Sequence, residues 1–84
     1  MAMIRVFTDF NARSASGVCW NLVYLGIDLS EQIPNLDLRE GDKIVLYQDE
    51  EDFEVMATLN FGHVDMLARD AWFATPDWST LVRK

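Results

Sequence analysis

From position 53 to 61 the chain alternates without a break. Phe53, Val55, Ala57, Leu59 and Phe61 are apolar, and Glu54, Met56, Thr58 and Asn60 stand between them. A period of two puts the first set on one face of a pleated strand, so the pattern predicts a strand with five side chains in a core. Just upstream, residues 43–48 (KIVLYQ) predict its partner, entered through a Glu40-Gly41-Asp42 turn. Residues 40–61 therefore read as a β-hairpin whose loop is the acidic run Asp49-Glu50-Glu51-Asp52.

Other stretches follow the same logic. Residues 3–10 (MIRVFTDF) set Ile4, Val6 and Phe10 against Arg5 and Asp9, which predicts a strand. Residues 11–17 (NARSASG) are small and polar, a loop. In residues 18–25, Val18, Trp20, Leu22 and Tyr24 fall on one face and Cys19, Val23 and Leu25 on the other. Apolar faces on both sides predict a strand covered on both. Ser30 is placed to cap one helical turn over 31–33, ended by Pro34. After Phe61 two readings stay open. Val64, Leu67, Ala68, Ala71 and Trp72 have helical spacing, while 64–67 and 71–75 about a turn at 68–70 make a second hairpin. The brief break at Gly62 and the strand-favouring Trp72-Phe73 weigh toward the hairpin. Thr75-Pro76-Asp77 marks a turn, and 78–82 a short terminal turn or edge strand.

Five or six short strands in 84 residues predict an all-β fold, a small, partly open antiparallel barrel with a short helical turn, in a single domain spanning 1–84. The run Leu38-Arg39-Glu40-Gly41-Asp42-Lys43-Ile44-Val45-Leu46-Tyr47, with Glu54–Leu59 returning behind it, resembles the middle of SH3-like barrels over about a quarter of the chain. It is also similar to short bacterial proteins with this kind of core. The Ala-Leu-Tyr-Asp-Tyr opening of peptide-binding SH3 domains is missing, so the resemblance does not imply polyproline binding.

Composition narrows the function. The 50% hydrophobic content suffices for a core without disulfides or a metal staple. A net charge of −7, with the seven basic residues scattered, argues against nucleic acid and anionic membranes. The start Met1-Ala2-Met3-Ile4-Arg5 has no signal-peptide pattern, and no apolar run approaches a membrane span, so the expected location is cytoplasmic. Ten acids between Asp28 and Glu54 face only Arg39 and Lys43, which suits a basic protein partner.

No motif specifies a reaction or a cofactor, and the chain is expected to be no enzyme. The densest acids, with Asp49, Glu51 and Asp52 as the candidate ligands, could attract Ca²⁺ or Mg²⁺. They lack the alternating acids and central glycine of an EF-hand, and a solvated loop guarding a sheet edge explains them without a metal. His63 has Asp65 and Asp70 as its nearest candidate partners in sequence and reads as structural or exposed. Cys19 reads as a small buried hydrophobe. The aromatics carry more promise. Trp72 and Trp78 flank Pro76 and Asp77 and would anchor a contact if exposed, with Tyr24 and Tyr47 at the rim. The expectation is a non-catalytic interaction module that pairs with itself, by adding an edge such as 3–10 or the C-terminal segment to a second copy. A small-ligand or divalent-metal domain using Trp72, Trp78 and the 49–54 loop is the alternative.

Overall fold

A computed structural model describes residues 4–9, 17–48 and 53–83. Six strands and one helix follow in order: β1 (Arg5–Thr8), β2 (Leu22–Tyr24), β3 (Ile27–Asp28), α1 (Leu29–Leu36), β4 (Lys43–Tyr47), β5 (Phe53–Val64) and β6 (Arg69–Arg83). The strands form one sheet in the order β3-β2-β1-β4-β5-β6. Every neighbouring pair is antiparallel except β1 and β4, which run parallel with Val6 opposite Leu46. The all-antiparallel barrel predicted above is thus a mixed sheet that does not close. An isolated bridge ties the two sides together: Cys19, just ahead of β2, exchanges two 2.8 Å N–H···O bonds with Ala74 of β6.

Alternation decides which face is inside. Val6 of β1, Ile44 and Leu46 of β4, Val55, Ala57 and Leu59 of β5 and Ala74 of β6 are buried in one cluster, which α1 joins through Leu29 and Ile33. The opposite face carries Arg5, Phe7, Val45, Tyr47 and Met56, which are half-buried or exposed. On that face Arg5 bonds Glu54 Oε1 at 2.7 Å and lies 4.6 Å from the centre of the Tyr47 ring. Phe7 meets the same ring edge-on at 5.9 Å.

The helix departs from expectation in two ways. Its N-cap is Asp28, not Ser30; the Asp28 Oδ1 accepts from the Ser30 N–H at 3.0 Å and the Ser30 hydroxyl at 2.9 Å. It passes through Pro34 to Leu36 and stops at Asp37, in left-handed geometry with φ 56°. The missing Pro34 N–H forfeits one helical hydrogen bond, and burial of Leu29 and Ile33 outweighs that local loss. Gln32 then donates through Nε2 to the carbonyls of Tyr24 and Ile27, at 2.7 and 2.9 Å, tying the helix to the β2–β3 turn.

Residues 18–25 are not one strand. Cys19 and Leu22 are both buried although they fall on opposite faces of an ideal strand, so the phase slips at Trp20-Asn21. Leu25, predicted on an apolar face, is 80% exposed in the turn to β3, with φ 53°. β1 in turn lies between β2 and β4, which removes 3–10 as an edge for pairing with a second copy.

After Phe61 the hairpin reading holds and the helix does not. β5 itself continues to Val64, and the turn is 65–68 rather than 68–70, with Ala68 at φ 54° and its N–H on Val64 O at 2.9 Å. β6 runs straight through Thr75-Pro76-Asp77, where a turn was expected. The Ala74 N–H points outward to Cys19, so Pro76, two residues on, lacks only an outward donor that β5 does not use. The turn chemistry surfaces one step later. Between Glu54 and Met56 the register on β6 jumps from Val82 to Asp77, and the extra residues form a bulge.

Asp77 organises that bulge. Its Oδ1 accepts from the Ser79 hydroxyl at 2.6 Å and the Ser79 N–H at 3.1 Å, while the Thr80 hydroxyl accepts from the Met56 N–H at 2.9 Å. The Ser79 side-chain bond first, and its backbone bond second, hold the Asp77 carboxyl below the usual carboxylate range. Because the folded value is the lower one, this contribution is complete above the ordinary pKa and disappears as pH falls through the folded value. An NMR titration of the carboxyl carbons should show a depressed Asp77 midpoint, and Ser79→Ala should move it back up.

Candidate functional site

The inner face of β5 and β6 extends past the core that covers it. Leu59 pairs with Ala74, and both are fully buried. One step further along the same face, Phe61 pairs with Trp72, their rings 5.4 Å apart and tilted by 59°. Here the cover runs out. Phe61 is 46% exposed, while Trp72 is half-buried against the core. Phe61 was expected inside; its face is right, but the hairpin outruns α1 and the other strands.

The space left there is a cleft of about 150 Å³. Trp20, Phe61 and Trp72 supply its aromatic walls, with Asp28, Arg69 and Asp70 at the polar margin. Each arrives by a different route. Trp20 comes from the slip ahead of β2, Asp28 from the helix cap, and Arg69 and Asp70 from the start of β6. Trp20 Nε1 is buried with no hydrogen-bond partner among the described residues, an omission of the kind that costs about 1–3 kcal/mol.

A contact from outside the hairpin fixes the Phe61 backbone. Just ahead of β4, Glu40 reaches β5, and its Oε1 accepts from the Phe61 N–H at 2.8 Å. The same turn is laced to β5 by Gly41 N to Leu59 O at 2.7 Å and Leu59 N to Asp42 O at 2.8 Å. Glu40 carried a turn signal in the sequence, but nothing marked its reach to position 61. Glu40→Ala should speed hydrogen exchange at the Phe61 amide by about tenfold, matching loss of a partly exposed, charge-assisted bond of about 1–1.5 kcal/mol. Unchanged exchange there would show that Glu40 does not hold the strand.

The sequence-derived candidates separate. Trp72 enters the cleft. Trp78 is 44% exposed at the β6 bulge, its ring 6.4 Å from that of Phe53. Phe53 and Phe61 are eight residues apart on one strand, about 27 Å at strand rise, so the two tryptophans serve opposite ends of the hairpin. Tyr24 packs half-buried against the core, and Tyr47 is held between Phe7 and Arg5. Neither reaches the cleft lining.

The metal candidates Asp49, Glu51 and Asp52 lie outside the described residues. Among those described, no group of three His, Cys, Asp or Glu converges as metal ligands. His63 stands near both of its expected partners, 3.5 Å from Asp65 and 4.0 Å from Asp70, in a solvent-exposed group. Cys19 is buried in the core cluster. No described helix is long and apolar enough to cross a membrane. Comparison with protein-family models, with curated proteins and with solved structures finds no match to this chain.

Proposed function

We propose that the chain is a non-catalytic, cytoplasmic protein-interaction module that docks a partner through the cleft at the open end of the β5–β6 hairpin. One observation carries this: a large aromatic, Phe61, stands half in water beside Trp72 on a face where Val55, Ala57 and Leu59 before it are closed. Aromatic anchors in a depression, ringed by polar groups, are what partner recognition uses. An SH3-like origin of the β4–β5 core belongs with this proposal, supported by the Gly41-Asp42 turn that feeds β4.

Phe61→Ala is the decisive variant. Truncating a buried phenylalanine costs about 3–5 kcal/mol, whereas this side chain is nearly half exposed and should cost about 1–2. The variant should therefore stay folded by circular dichroism while losing the partners that the wild-type protein retains in a native extract. An unchanged partner set on a folded variant would refute the docking role.

Self-association is a second reading, favoured by the exposed Trp78 and Val82 on the edge strand β6. Against it, this edge is bridged at Ala74, lacks an outward donor at Pro76 and bulges after Asp77, all devices that discourage strand addition. Sedimentation at micromolar concentration separates the two: a dimer that Trp78→Ser converts to monomer would support self-association.

A further inference from the structure

We propose that the cleft receives the ammonium head of a lysine side chain presented by a partner protein. This rests on the docking role just proposed and names what is docked. Size comes first. A cavity of about 150 Å³ is one that holds a single benzene-sized group, whereas small-molecule and cofactor sites span roughly 300–1,000 Å³. The space matches one side chain and falls short of the usual nucleotide or cofactor site.

Chemistry selects the side chain. Trp20, Phe61 and Trp72 line the space, and aromatic faces attract cations through their ring quadrupoles, tryptophan most strongly. Two carboxylates, Asp28 and Asp70, stand at the margin against one guanidinium, Arg69. Arg69 is drawn toward the strand by a long 3.4 Å bond from Nη1 to Asp70 O. Asp28 commits its Oδ1 to Ser30, which also covers the positive end of α1 that would otherwise invite an anion. The chain as a whole carries −7, so its field gathers basic partners from a distance and the cleft selects among their side chains.

The test uses the full chain, labelled with ¹⁵N, at physiological salt. It is titrated with three capped tripeptides, acetyl-Gly-X-Gly-amide, in which X is lysine, norleucine or glutamate. Norleucine keeps the alkyl chain of lysine and removes its charge. The lysine peptide should shift the Trp20 and Trp72 indole and Phe61 amide resonances, and norleucine should bind at least fivefold more weakly. Phe61→Ala and Asp70→Asn should each weaken the lysine peptide about three- to tenfold, and Arg69→Gln should tighten it about twofold, since it removes a like charge.

Equal binding of lysine and norleucine would overturn the cation assignment while leaving the docking surface intact. Preference for glutamate, lost in Arg69→Gln, would overturn it in favour of an acidic partner. If no peptide moves the cleft resonances, the proposal fails; the partner set of Phe61→Ala then decides separately whether docking fails with it.

Discussion

Leu59→Ala should remove a large part of the protein's stability. Leu59 is fully buried at the centre of β5, opposite Ala74, and its N–H is bonded to Asp42 O. Its side chain stands where β4, β5, β6 and α1 share one cluster. Such truncations cost about 3–5 kcal/mol through lost transfer energy and the cavity left behind. A domain of 84 residues holds about 4–13 kcal/mol in total, at roughly 0.05–0.15 kcal/mol per residue. The melting temperature should fall by about 12–40 °C, at about 4–8 °C per kcal/mol for this size. A fall of only a few degrees in thermal denaturation would show that the cluster is not centred there.

Thr8→Val should act in the opposite direction. Thr8 is fully buried in β1, beside Leu22 and in line with Val6, and its hydroxyl has no hydrogen-bond partner among the described residues. A buried hydroxyl without a partner costs about 1–3 kcal/mol. Valine has nearly the same shape, keeps the β-branch that strands favour, and brings no polar atom to desolvate. A gain of about 1–2 kcal/mol follows, read as a rise of about 4–16 °C in melting temperature. A loss of stability instead would mean that the hydroxyl is satisfied in solution.

The sequence revealed faces better than it revealed extents. The alternation from Phe53 to Phe61 placed each of these side chains on the correct face, because pleating is a local property. It could not say that the cover over that face ends before Phe61, because the cover belongs to α1 and other strands. The cleft was hidden for the same reason. Trp72 was legible as a contact candidate from its place with Trp78 about Pro76 and Asp77, but Trp20, Asp28 and Arg69 reach it from segments far apart in the chain. Trp20 could have been suspected from Asn21, a polar break in an otherwise apolar strand where the phase slips.

Breaker residues misled twice, for different reasons. Pro34 lies inside a helix whose buried face outweighs one lost bond. Pro76 lies where β6 has no inward bond to give. The parallel pairing of β1 with β4 left no trace in the sequence, since alternation is the same whichever way a neighbour runs. The 49–52 acids lie outside the described residues, so the metal site suggested for them gains nothing here.

That parallel junction has a consequence for how the chain assembles. On one side lies a meander of β1, β2 and β3, on the other a meander of β4, β5 and β6, each zipped by neighbours in sequence. Val6 and Leu46, which meet across the seam, are 40 residues apart, so the seam must wait for a closure that neither half can make alone. The molecule is then two locally knit halves held together by that suture and by the Cys19–Ala74 bridge. Native-state hydrogen exchange should open along that suture first, releasing each half as its own cooperative block.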